Sequence, residues 1–144
     1  MSFLLDTNVL SEVRKGRQCN AAVRKWWLDA GEQDLYLSVM VVGEIRRGIE
    51  RLRDRNPTRA GVLENWLNSV IEGFEDRLLV IDRKVVDVWG SITARRTLPL
   101  VDGLLAATAI AHDLVFVTRN TKDISDLQRI IEINMAIVVS EVAW

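Results

Sequence analysis

Little in this chain suits covalent bracing or thiol and imidazole chemistry. Its 144 residues include one cysteine, Cys19, one histidine, His112, one tyrosine and two prolines. A lone thiol excludes an internal disulfide, and no Cys/His set has zinc-like spacing, so a reducing compartment, the cytoplasm, is the expectation. No apolar run approaches the roughly 20 residues that span a bilayer. The opening MSFLLDTNVLSEVRK has no basic segment before its apolar residues and no stretch of signal-peptide length, because Asp6 interrupts it; a soluble protein without a membrane partner is expected. Neither sign of charge dominates, since 19 Lys and Arg stand against 20 Asp and Glu for a net −1. Any contact with nucleic acid must therefore be local. Glycine-rich phosphate loops and dinucleotide fingerprints are absent as well.

What is present is apolar residue, 49% of the chain, enough for one core and too much for disorder. With no linker, repeat or low-complexity segment, residues 1–144 read as a single domain. Residues 2–5 predict a buried strand, and a helix over 8–15 follows, stopped by Gly16. A second helix is predicted over 21–30, then a strand over 35–38. Ser38 is placed to cap a helix running to Arg53, with Val42, Ile45, Ile49 and Leu52 on one face. Asn56-Pro57 breaks the pattern, a helix resumes over 58–71, and 78–81 predicts another strand. Asp82 caps a helix over 83–96 whose buried face is Val85, Val88, Trp89 and Ile92. Leu98-Pro99 ends it, and Asp102 is expected to open a helix over 102–113. Strands over 114–118 and 136–139 complete an α/β pattern: a central parallel sheet with helices on both faces.

Three carboxylates interrupt apolar runs: Asp6 in FLLDTNVLSE, Glu44 in VVGEIRRGIE and Asp102 in LPLVDGLLAATA. Clustered buried acids are costly unless protonated, paired with arginine, or bound to a divalent metal. In open α/β sheets ligands bind beyond the carboxyl ends of strands, where Asp6 and the end of the 114–118 strand belong. Each acid also has an ordinary reading. Asp102 can serve as a helix cap, Asp6 as an Asx turn, and Glu44 can reach solvent or pair with Arg46 or Arg47. A phosphatase of the haloacid-dehalogenase type would need an aspartate two residues after the first; Asn8 stands there. His112 reads as the end of a helix, and Cys19 has no histidine partner.

FLLDTNVLSE, YLSVMVVGEIRRGIE and LPLVDGLLAATAIAHDLVFVTRNTKD, in this order, resemble the successive signatures of the PIN-domain ribonucleases, most of all the VapC and FitB-type toxins of bacterial toxin–antitoxin pairs. The resemblance implies a PIN-like three-layer sandwich whose acids hold Mg²⁺, or Mn²⁺ in its place, and hydrolyse RNA phosphodiester bonds. Asp6, Glu44 and Asp102 match the first three family acids and are the implied metal ligands. The fourth is assigned to Asp123, because Asn120 stands where other members carry aspartate; Asp126 is the weaker choice. Thr7, Asn8, Thr118 and Asn120 are supporting polar residues. The resemblance further implies a homodimer, a VapB-type antitoxin that covers the acidic site, and a transfer RNA substrate, with the anticodon loop as the leading target. A housekeeping nuclease of RNA maturation and a catalytically silent RNA- or protein-binding module are the competing readings.

Arginines crowd the end of the Glu44 helix: Arg46, Arg47, Arg51, Arg53, Arg55 and Arg59. Arg46, Arg47 and Arg51, with Arg95 from the Asp102 side, are the RNA-contact expectations; a solvated face laced with Glu–Arg pairs is the competing one. Of five tryptophans, Trp66 and Trp89 fall on apolar helix faces. Trp26 and Trp27 are adjacent, so one of them is expected at the surface as a partner anchor.

Overall fold

Four short strands frame the computed structural model, which describes residues 2–118. They are β1 (Phe3–Leu5), β2 (Leu35–Ser38), β3 (Leu78–Leu79) and β4 (Val115–Val117), paired in parallel in the order β3-β2-β1-β4. β1 and β4 are in register from Phe3 opposite Val115 to Leu5 opposite Val117. Leu4, Leu5, Leu37, Phe116 and Val117 are all but inaccessible. Strands buried on both faces read as continuous apolar runs rather than alternating ones, as these do.

Six helices connect the strands: α1 (Thr7–Val13) and α2 (Ala21–Asp29) between β1 and β2, α3 (Val39–Arg53) and α4 (Pro57–Phe74) between β2 and β3, and α5 (Arg83–Thr93) and α6 (Leu100–Ala111) between β3 and β4. The chain moves outward from β1 through β2 to β3, then returns past them to lay β4 on the free side of β1. Right-handed crossovers in these two opposite directions put helices on opposite faces of the sheet, which gives the three layers. The reversal of order falls between β1 and β4.

Local chemistry explains most boundaries. Ser38 caps α3, its Oγ accepting from the Met40 amide at 3.1 Å, and Asp82 caps α5 through the Val85 amide at 3.1 Å; such caps contribute about 1 kcal/mol each. Asn56 caps α4 with Pro57 in its first turn. α1 starts one residue earlier than expected and ends at Val13, with Gly16 at φ +60° beyond it. α5 stops at Thr93, and β3 has two residues rather than four. α4 runs past Ile71 to Phe74, because Phe74 is buried in the core; Glu75, not Gly73, takes the positive φ of +46° that ends the helix. The expected strand over 136–139 lies outside the described residues.

Both Trp26 and Trp27 are half-buried against the core, contrary to the expectation that one stands free. Trp26 meets the Phe3 ring edge-on at 5.4 Å and 85°. α2 leaves Leu28 in solvent, 71% exposed. Trp66 and Trp89 are half-buried against the same core. Arg77 ties the end of α4 to the start of β2, donating to the carbonyls of Gly73, Glu32 and Leu35 while lying over the Phe74 ring. A smaller cluster of Ile49, Ala60 and Leu67 holds α3 to α4.

Candidate active site

The site begins where β1 ends. Asp6 follows Leu5 directly, and its amide continues the sheet by donating to the Val117 carbonyl at 3.0 Å. Its carboxylate then caps α1, Oδ1 accepting from the Thr7 amide at 2.7 Å. Thr118 is the residue just past the end of β4, so the parallel register sets it beside Asp6, and its hydroxyl donates to Asp6 Oδ2. Asp6 is 5% exposed and Thr118 1%. These two residues stand beyond the carboxyl ends of the strands where the sheet order reverses, the place where open α/β sheets form their ligand crevice.

Glu44 comes to the same place from α3. Thr7 Oγ1 donates to Glu44 Oε1 at 2.6 Å, so one residue holds Asp6 by its amide and Glu44 by its hydroxyl. Burial pushes the Asp6 carboxyl above the ordinary carboxylate range; the hydrogen bonds from Thr118 and Thr7 pull it down, and the charge of Glu44 pushes it up again. Among the described residues no ion pair engages either acid. Two carboxylates are thus held close by hydroxyl and amide donors, which offset the burial of Asp6 only in part.

Asp102 does not open its helix as expected. Pro99 is the N-cap of α6, with Leu100 and Val101 already helical and the Gly103 amide bonded to the Pro99 carbonyl. Asp102 is therefore a half-buried acid within the first turn, still at the positive end of the helix dipole. Gly103 beside it sets the approach of α6 to α5. A Cβ there would stand 3.2 Å from Trp89 Nε1 and 3.3 Å from Trp89 Cδ1. α6 also packs on α3, the helix of Glu44.

Hard oxygen donors of this kind suit Mg²⁺ or Mn²⁺. Among the described residues, however, no group of three histidines, cysteines, aspartates or glutamates is close enough to hold a metal ion. Asp6 and Glu44 fit such an ion in kind, and the ligand set is not closed within residues 2–118. Asn120, Asp123 and Asp126 lie outside the described residues. Asn8 is exposed on α1 and, among the described residues, joins no hydrogen bond of the site. His112 ends α6 as its C-cap, as expected. Among the described residues no helix is long and apolar enough to cross a membrane.

Two arginines of the arginine-rich face, Arg46 and Arg53, are engaged in ion pairs. Arg46 bonds Glu64 of α4 and approaches Glu50 at 3.4 Å, while Arg53 bonds Glu50 at 2.9 Å and Glu64 at 2.7 Å. Arg47, Arg51 and Arg95 are exposed. One buried acid escaped notice in the sequence. Glu12 binds Lys15 at 2.7 Å and receives the Asn20 amide at 2.9 Å, fastening α1 to the start of α2. Its (i, i+3) spacing to Lys15 was the available signal.

A parallel sheet of order β3-β2-β1-β4 with an acid at the β1/β4 reversal and a second acid tied to it from α3 defines a class, and the sequence agrees: residues 3–130 match the PIN domain, and the chain belongs to that family. Within it the chain is similar to Toxin FitB of Neisseria gonorrhoeae, 36% identical over 125 residues that cover 83% of this chain and 88% of the toxin. It is also similar to VapC ribonuclease Y4jK of Sinorhizobium fredii, 33% identical over 126 residues, 83% of this chain and 87% of the relative. Among solved structures, FitAcB from Neisseria gonorrhoeae aligns with a TM-score of 0.75 at 35% identity, covering 84% of this chain and 89% of that one. FitAB bound to the IR36 DNA fragment aligns with a TM-score of 0.74 at 33% identity, covering 84% and 87%.

Proposed function

We propose that the protein is a Mg²⁺-dependent endoribonuclease, the toxin of a toxin–antitoxin pair, neutralised by a VapB-type antitoxin. The observation that carries this reading is the coupling of Asp6 to Glu44 through Thr7 at the β1/β4 reversal. The names of the relatives, a toxin and a VapC ribonuclease, support it. Asp6 and Glu44 would hold the ion from this side of the site, and Asp102 and Asp123 are the further acids that the family resemblance assigns to it. When bound, the ion acidifies a water and neutralises the phosphoryl oxygens of the scissile bond.

The chain's own residues do the rest. Thr118 and the Thr7 amide occupy both oxygens of Asp6, fixing its carboxylate plane, and Thr7 Oγ1 leaves Glu44 Oε2 as the oxygen open to a ligand or a water. Fixed donors of this sort tune ligands as well as orient them. Asp102 lies in the first turn of α6, at the positive end of that helix. The substrate is a structured RNA, a transfer RNA cut at its anticodon loop, recognised through unpaired nucleotides. The protein works in the cytoplasm as a homodimer.

The test is induced expression of wild type and Asp6→Asn with sequencing of new RNA 5′ ends, alongside cleavage of unfractionated tRNA by the purified proteins with Mg²⁺ or EDTA. Growth arrest and one dominant metal-dependent cut are expected for wild type only. Equal cleavage by Asp6→Asn, or by wild type in EDTA, would sink the proposal.

A further inference from the structure

A cleft of about 320 Å³ opens beside Glu44 and Thr7 between α1, α3 and α4. Its α1 wall is Thr7, Ser11 and Arg14, spaced i, i+4 and i+7 and so on one face of that helix; Glu44 and Gly48 of α3 and Trp66 of α4 are across from them. Glu44 and Thr7 mark the acidic end. The other end carries a cation: the Arg14 guanidinium lies over the Trp66 ring, 5.7 Å from its centroid. Arg14 is exposed and, among the described residues, makes no ion pair, whereas Arg46 and Arg53 nearby are both bound to Glu50 and Glu64. Arg14, the C-cap of α1, stands eight positions after its N-cap Asp6, about 12 Å at the helical rise.

We infer that Arg14, held by Trp66, grips a backbone phosphate of single-stranded RNA neighbouring the scissile one, so that the strand lies along the α1–α3 cleft. This rests on the nuclease reading above. The physical case is one of placement and charge. A guanidinium is the side chain best suited to phosphate oxygens. Stacking on an indole restricts its rotamers before the RNA arrives, which lowers the ordering cost of binding. The cleft floor has room, since a Cβ added at Gly48 would meet nothing within 4 Å. The acidic end would repel a phosphate placed against it without a metal, so an anion entering the cleft is favoured at the Arg14 end.

The test is binding of a fluorescein-labelled single-stranded RNA of mixed sequence, about 15 nucleotides long, in the presence of Mg²⁺. It uses the full chain carrying Asp6→Asn to prevent cleavage. Arg14→Gln in that background is expected to weaken binding about tenfold and, between about 50 and 200 mM salt, to lower the slope of log K against log salt by about 0.7. Arg14→Lys should keep the slope while losing part of the affinity. Trp66→Leu should also keep the slope and weaken binding less than Arg14→Gln does. In the cleaving protein, Arg14→Gln should raise KM for unfractionated tRNA and leave kcat within about twofold.

Unchanged affinity and slope in Arg14→Gln, with wild type still cleaving, overturns the inference alone. So does an Arg14→Gln protein that binds RNA normally but escapes its antitoxin, because the cleft would then belong to a protein partner. A wild type that cleaves no RNA overturns the nuclease reading, and this inference with it.

Discussion

The α3–α4 surface and the β1/β4 end of the sheet use the same residue types to opposite effect. On the surface, Glu50 and Glu64 are each bonded by Arg46 and Arg53, and both carboxyls are held below the ordinary range by those guanidinium groups. At the sheet end, Asp6 and Glu44 are held by hydroxyls and an amide, and burial drives the Asp6 carboxyl upward. One set of acids is electrically satisfied by the protein itself. The other is rigidly positioned and left wanting a cation, which is the condition a metal-dependent site must meet.

Removing the acid should separate the two regions most sharply. Asp6→Asn is expected to cut the rate of RNA cleavage by on the order of 10²–10³-fold or more, measured on tRNA under saturating Mg²⁺. Thr7→Val deletes the 2.6 Å bond to Glu44 while keeping the backbone amide for Asp6. A loss of roughly 10- to 100-fold in activity or in apparent Mg²⁺ affinity is expected, with Thr7→Ser close to wild type. Equal rates for valine and serine would mean that the hydroxyl does not position Glu44.

Stability should show the same contrast with a smaller amplitude. Because the Asp6 pKa is raised in the folded state, folding favours its protonated form. That contribution is fully present below the unfolded pKa of about 3.9 and is lost as pH rises through the folded value. At a pH above the unfolded value and without metal, the buried Asp6 carboxyl therefore costs stability, so Asp6→Asn should melt a few degrees higher than wild type in EDTA. Mg²⁺ should raise the melting temperature of wild type and move that of Asp6→Asn much less. A wild type that melts identically with Mg²⁺ and with EDTA would contradict the uncompensated site. Smallest of all is the surface network: Glu64→Gln should shift the melting temperature by less than about 3 °C, and by less still in high salt.

What the sequence made legible was mainly local. Ser38 and Asp82 announce α3 and α5 because a short polar side chain before an apolar periodic run has one economical use, to accept the orphan amides of the first turn. β2 and α3 consequently fall on their expected bounds. Asp102 misled for a related reason. An acid in the first turn benefits from the helix dipole whether it caps or sits inside, so the residue type cannot separate the two positions. Pro99 could have done so, since proline commonly stands at a helix start. The end of α4 was missed because tertiary burial of Phe74 carried the helix through Gly73. As for the site, Asp6 and Glu44 were visible as acids in apolar runs, but their bridge was not. Thr7 and Glu44 are 37 residues apart and Thr118 and Asp6 112 apart, and no periodicity reports contacts at that range. Likewise the fate of Arg46 depended on Glu64, which α4 brings alongside only in the folded chain.

The bond from Thr118 to Asp6 also fixes when the site can exist. Thr118 leaves the ribosome 112 positions after Asp6, about 6–22 s later at ordinary elongation rates. β1, central in the sheet, likewise waits for β4 to cover its free side. A nascent chain cannot assemble this carboxylate cage before β4 is made, because the residue that follows β4 supplies the clasp for the residue that follows β1. Synthesis itself thus imposes a delay between the appearance of the polypeptide and the appearance of its acidic centre.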